Sequence, residues 1–297
     1  MNAEEFADLP HGVRICYRDE GEGDPILLVI GLGFQLIHWP KALITGLLEG
    51  RHRVITFDNR DAGRSSRMEG SVPTLIQKLR RHAPEDAYTL EDMANDAFAL
   101  LDHLKIERAH IVGMSLGGMI AQVMSAEQPD RAKTLTSIFS NTGARGLGEP
   151  GFRMILQLAR RPARTRKEFI DRYMQNMRIN AGKDFPSEPQ YNLSLFGNAW
   201  DRGGPDQHFG TGRQLAAVLA SGDRTQSLGR ITAPTLVIHG DRDPLVHPSG
   251  GTATAKAIPN ARHVTIPGMG HEISVAAAPH LAKLILDHTS PKLQRLV

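Results

Sequence analysis

One cysteine occurs in 297 residues, Cys16. No disulfide can therefore form within the chain. Its surroundings, VRICY, alternate like a half-buried strand, so the thiol is expected to be a small buried hydrophobe and not a nucleophile. No run approaches the roughly 18 consecutive apolar residues that cross a bilayer, so no membrane span is expected. The N-terminal MNAEEFADLP is acidic and holds no apolar stretch, unlike a secretory signal. Internal repeats, low-complexity segments and recognisable nucleic-acid-binding modules are also missing. A soluble cytoplasmic protein without nucleic-acid or membrane partners is the default expectation.

Charge of one sign is scarce except in one place. The net charge is +3, but residues 151–180 alone carry eight basic residues against two acids, Glu168 and Asp171. The rest of the chain is therefore net acidic by three. The segment reads as a solvated helical face, or alternatively as a charged rim that draws in acidic substrates.

Hydrophobic residues make up 40% and charged residues 23%, enough apolar content for a substantial core. Short β-rich runs alternate with helical stretches. VRICY (13–17), ILLVI (26–30), RVITF (53–57), AHIVG (109–113) and TLTSIF (134–139) read as strands. ILLVI is apolar throughout, as for a strand buried on both faces. Thr89 and Asp92 resemble a capping box, followed by Leu90, Met93, Ala97, Phe98, Leu101 and Leu104 at helical spacing. From about Asn141 to Gly229 no convincing strand occurs. The alternation then resumes with TLVIHG (235–240), a helical stretch near 249–257, HVTI (263–266) and a last helix containing LAKLIL. Such alternation predicts an α/β fold with a mostly parallel sheet flanked by helices. The expected division is a core over 1–142 and 230–297, with a helical cap over 143–229.

Gly113-Met114-Ser115-Leu116-Gly117 matches G-x-S-x-G, between a strand and an apolar helix. A serine on such a sharp turn is lifted clear of the sheet, and the flanking glycines avoid collisions with neighbouring elements. A serine hydroxyl is a poor nucleophile at neutral pH and needs a base, which in turn needs an orienting partner. Where this motif marks a nucleophile, the acid and then the histidine follow it. Asp241-Arg242-Asp243-Pro244 follows TLVIHG, and Pro267-Gly268-Met269-Gly270-His271 follows HVTI. Asp243 is preferred because it lies further out, beside a proline that stiffens the turn. Asp241 is expected to bond loop amides. Of 13 histidines, His271 alone combines the right order with a glycine-rich loop.

Acyl transfer also needs donors for the tetrahedral oxyanion. The backbone N–H of Leu116, next to the serine, is one candidate. The loop Gly31-Leu32-Gly33-Phe34 after ILLVI supplies the other, with Leu32 favoured over Gly33. The stretch Asp58–Ser65, with two aspartates, is expected to be a turn held by hydrogen bonds and by ion pairs to the nearby Arg60 and Arg64. No histidine cluster accompanies it, so neither a metal nor any other cofactor is expected.

With D-x-R-x-x-G-x-S at Asp58–Ser65, the Ser115 turn, GDRDP and PGMGH in this order, the chain resembles the α/β-hydrolase superfamily over nearly its whole length. More narrowly it resembles bacterial carboxylesterases of the aclacinomycin methylesterase type. That likeness rests on Gly31 with Trp39-Pro40, Arg60-Asp61 with Gly63-Arg64-Ser65, and IPGMGH with LAKLILDHT. Many relatives carry a histidine where Ile30 stands. The resemblance implies a cofactor-free serine carboxylesterase, and a cap over an apolar pocket leads to the expectation of a small-to-medium ester. Hydrolysis of C–C, lactone or thioester bonds, perhydrolysis, and a non-catalytic ligand-binding role on the same scaffold are the alternatives. The pocket is expected to draw on Gly33, Phe34 and Met114, and on Met154, Leu156, Phe169, Met174, Met177, Phe196 and Trp200 of the cap.

Overall fold

The computed structural model describes residues 2–151, 154–155 and 163–290. These form an eight-stranded sheet in the order β1-β2-β4-β3-β5-β6-β7-β8. The strands are β1 (Glu5–Asp8), β2 (Arg14–Glu20), β3 (Asp24–Val29), β4 (His52–Phe57), β5 (Ala109–Met114), β6 (Ala132–Ile138), β7 (Thr235–Gly240) and β8 (Arg262–Ile266). β3 to β8 run parallel, while β2 is antiparallel to both β1 and β4. Every residue of β5 and β7 is buried, as is Ile26–Val29 of β3, because helices cover both faces of a parallel sheet.

On one face lie α3 (Leu90–His103) and α4 (Leu116–Glu127); on the other, α1 (Lys41–Glu49) and α10 (Ala278–Thr289). The short α2 (Leu75–Arg80) precedes α3. α3 starts as its sequence demands. Thr89 Oγ1 accepts the N–H of Asp92, and the Asp92 carboxylate accepts the N–H of Thr89. The helix then buries Leu90, Met93, Ala97, Phe98 and Leu101. On the opposite face Leu43 and Leu47 pack with Leu281 and Ile285.

Between β6 and β7 the described residues contain helices and no strand: α5 (Arg166–Asn180), α6 (Pro189–Gly203), α7 (Gln207–Ser221) and the single turn α8 (Thr225–Leu228). α9 (Ser249–Ala257) follows β7. The inserted helices hold their own apolar cluster, centred on Phe169, Met177 and Phe196. The basic residues of this segment face water: Arg164, Arg166, Lys167 and Arg178 are exposed. Arg166 pairs with Asp201 and Lys167 with Asp171. Arg153, Arg160 and Arg161 lie outside the described residues, as does Leu156.

One strand has no counterpart in the apolar pattern. β1 reads EFAD, and only Ala7 in it is buried. It forms because its backbone pairs with β2, with Phe6 opposite Cys16. An edge strand needs ladder hydrogen bonds on one side only, so hydrophobic alternation barely marks it.

Candidate active site

Ser115 lies between β5 and α4 with φ 56° and ψ −118°, a conformation that L-residues adopt under strain. Its N–H donates to the carbonyl of Ile138 at the end of β6, 2.8 Å away. The glycines two residues to either side answer to sterics. A Cβ on Gly113 would stand 2.1 Å from the carbonyl oxygen of Gly117, and one on Gly117 would stand 1.9 Å from that of Val29 in β3. Both obstacles are backbone and cannot swing aside. Gly117→Ala should therefore lower stability by about 1–3 kcal/mol or more, seen as a drop in Tm during thermal unfolding. An unchanged Tm would mean that the turn is not held against β3.

The two later loops converge on this serine. His271 Nε2 is 3.1 Å from Ser115 Oγ, across 156 positions of sequence. His271 Nδ1 is 2.6 Å from Asp243 Oδ2. Asp243 is fully inside the protein, and its other oxygen accepts the N–H groups of Leu245 and Val246 at 2.9 and 2.8 Å. Burial by itself would raise the Asp243 carboxyl. The charge of His271 and hydrogen bonds from His239 and His271 outweigh that and hold it down at about 2. Asp241 instead accepts the N–H of Gly268 at 2.7 Å, bracing the loop that leads to His271. The far end of that loop is tied to the inserted helices, since the N–H of His271 donates to the carbonyl of Asn180 at 2.8 Å.

His239 also belongs to this arrangement. It is buried beneath the acid, with Nε2 2.8 Å from the carbonyl of Val246 and 3.3 Å from Asp243 Oδ2. As the fifth residue of an apolar strand it carries no local signal.

The loop after β3 lies against the serine: a Cβ on Gly31 would be 3.4 Å from that of Ser115. The N–H of Gly33 is engaged by Gln214 Oε1 of α7 at 2.8 Å. Among the described residues the N–H groups of Leu32 and Leu116 have no protein acceptor. Leu116 begins α4, where the first-turn amides lack partners and the helix dipole favours negative charge.

The Asp58–Ser65 turn differs from expectation in its ion pairs. Asp58 accepts the N–H groups of Leu36 and Arg64, and its guanidinium partner is Arg202 of α6, 2.9 Å away. Asp61 pairs with Arg213 of α7 at 2.6 Å. Arg60 turns away to Asp96 of α3, also at 2.6 Å, and Arg64 pairs with Glu4. The two buried aspartates thus bind arginines delivered by the inserted helices, which local sequence could not reveal.

A cavity of about 30 Å³ opens beside His271. Of the pocket candidates, Phe34, Met114, Met177 and Phe196 line it. Phe169, Met174 and Trp200 instead pack in the apolar cluster of the inserted helices. Met154 is buried but does not line the cavity, and Gly33 abuts Thr211. His38 also lines it, stacked on Phe34 with ring centroids 4.5 Å apart. Burial pushes the His38 imidazole down to about 4, so the ring is neutral near pH 7.

Glu272 is the least expected lining residue. Burial, with a contribution from nearby Glu188, pushes its carboxyl up to about 7 against the opposing donors Asn192 and Ser187. A carboxyl raised on folding stabilises the folded state below its unfolded value and loses that contribution as pH rises through about 7. Removing the charge should reverse this. Glu272→Gln should gain up to about 3 kcal/mol over the parent near pH 8, and the difference should close below pH 4.5. Urea unfolding at both pH values checks this; a gap that does not change with pH would contradict the assigned burial.

The model of the α/β hydrolase fold family matches residues 24–277. Rhodomycin D methylesterase DnrP of Streptomyces peucetius is 30% identical, over 91% of this chain and 93% of its own. A hydrolase from Pseudomonas aeruginosa superposes with a TM-score of 0.72 at 25% identity, covering 96% of this chain and 97% of the other. An enol-lactonase from Burkholderia xenovorans shares the fold, with a TM-score of 0.73 at 24% identity over 96% of this chain and 99% of that one.

Proposed function

Because the chain belongs to the α/β-hydrolase fold family, we propose that it hydrolyses a small-to-medium carboxylic ester through an acyl-enzyme on Ser115. The observation that carries this reading is the unbroken run of hydrogen bonds from Asp243 through His271 to Ser115.

In this mechanism Ser115 Oγ attacks the ester carbonyl while His271 Nε2 takes its proton. Asp243 holds the Nδ1–H tautomer and stabilises the imidazolium. The negative oxygen falls between the N–H groups of Leu32 and Leu116, which have no competing protein acceptor among the described residues. Gly33 takes no part because Gln214 already occupies its N–H. Collapse of the intermediate expels the alcohol, protonated by His271. Water, activated by the same imidazole, then attacks the acyl-enzyme and frees the acid and the serine. These steps draw on protein groups alone.

Residues 143–229 serve as the cap over this site. The hold of Asn180 on the His271 backbone and the arginine pairs at Asp58 and Asp61 fix its seat on the core. The methylesterase similarity favours ester chemistry over other bonds opened by the same triad.

A fluorophosphonate probe should label Ser115 alone, located by peptide mass, and a p-nitrophenyl butyrate reaction should show a burst equal to the enzyme concentration. A correctly folded protein that neither reacts with the probe nor releases nitrophenol would refute the proposal.

A further inference from the structure

The cavity beside His271 has an acidic end within mostly apolar walls. Glu272 and Glu188 line it together with the rings of Phe34, Tyr191 and Phe196, and among the described residues neither lysine nor arginine does. Glu272 is 8% exposed. Its Oε1 accepts from Ser187 Oγ at 3.2 Å and Asn192 Nδ2 at 3.3 Å. Its Oε2 is buried and meets no donor among the described residues. A buried carboxylate oxygen left in this state is costly, and nothing in the hydrolytic steps at Ser115 calls for a second carboxyl here.

A donor from the substrate would satisfy it. A neutral hydroxyl could fill the bond but would leave two carboxyls close together and uncompensated. Among the described residues Glu188 Oε2 has only the N–H of Val275, at 3.3 Å. A cation answers both needs, and its attraction to a carboxylate is strong between apolar walls. Aromatic faces also favour a cation over a neutral group. The volume of about 30 Å³ exceeds what one water molecule needs and leaves room for an ammonium head. We propose that the cavity receives the protonated amine of an ester that bears it in its alcohol or acyl part, with Glu272 as the counter-ion. The identity of the ligand as an ester rests on the reading of Ser115 above; the recognition of the amine does not. The raised carboxyl of Glu272 fits this role, because an ammonium beside it would restore the charged form.

Binding to the Ser115→Ala protein separates the two claims. Calorimetric titration near pH 8 would compare dimethylaminoethyl butyrate with the shape-matched isopentyl butyrate, and the methyl ester of ω-aminohexanoic acid with methyl heptanoate. In at least one pair the amine should bind about tenfold tighter or more. Adding Glu272→Gln should abolish most of that preference, and Glu188→Gln should reduce it by about twofold. Equal or weaker binding of the amine in both pairs overturns the proposal. So does a preference that neither glutamine variant lowers, or the absence of measurable binding by either amine ester. If the Ser115 enzyme turned over none of the four esters while the amine preference held, the ester reading would fail and the cationic subsite would stand.

Discussion

Ser115→Ala should lower kcat on p-nitrophenyl butyrate by roughly 10⁴- to 10⁶-fold, the range seen when a nucleophile acting with its base is removed. The loss should fall on kcat because the hydroxyl forms a bond only as reaction begins. Stability should change little. Among the described residues the side chain makes one hydrogen bond, to His271 Nε2, worth about 1 kcal/mol net. The strained φ of 56° burdens alanine much as it burdens serine. The alanine protein should therefore keep its circular dichroism and Tm while losing fluorophosphonate labelling. Activity within tenfold of the parent would transfer the nucleophile's role to another residue.

The two aspartates of one loop should part company sharply. In Asp243→Asn, the amide replaces an oxygen that lies 2.6 Å from His271 Nδ1. An amide nitrogen there donates, so the imidazole must accept at Nδ1 and carry its proton on Nε2, facing Ser115. The base is then blocked, and kcat should fall by about 10⁴-fold. Asp241→Asn keeps an oxygen that can accept the Gly268 N–H, so kcat should stay within about tenfold. With the Asp243 carboxyl held at about 2, the acid limb of the parent's pH–rate profile should come from a group other than Asp243. Steady-state assays of both variants between pH 5 and 9 decide the matter. A mild Asp243→Asn with a severe Asp241→Asn would exchange the two roles.

Much of this was visible along the chain where the relevant physics is local. ILLVI declares itself as a strand because burial on both faces demands an unbroken apolar run. Thr89 and Asp92 announce α3 because a capping box closes within one turn. Gly113 and Gly117 mark the Ser115 turn because any Cβ there meets backbone. β1 stayed hidden because its stability comes from pairing with β2, and only Ala7 is buried. In the Asp58–Ser65 turn the aspartates were legible, but their guanidinium partners were misplaced. Nearby Arg60 and Arg64 were the natural choice in one dimension, whereas Arg202 and Arg213 arrive from 144 and 152 positions away.

What the sequence determined by itself was chemistry confined to single loops: a serine on a turn that only glycine flanks permit, an aspartate and a histidine each just past a strand, and the order in which they come. These follow from backbone sterics and strand–turn connectivity over a few residues. Tertiary structure alone decided the relations among loops. It brought His271 within 3.1 Å of Ser115, spent the Gly33 amide on Gln214, set His239 beneath the acid, and closed apolar walls around Glu272. Each of these depends on distances between segments far apart in the chain, and burial and charge take their energetic value only once such distances are set.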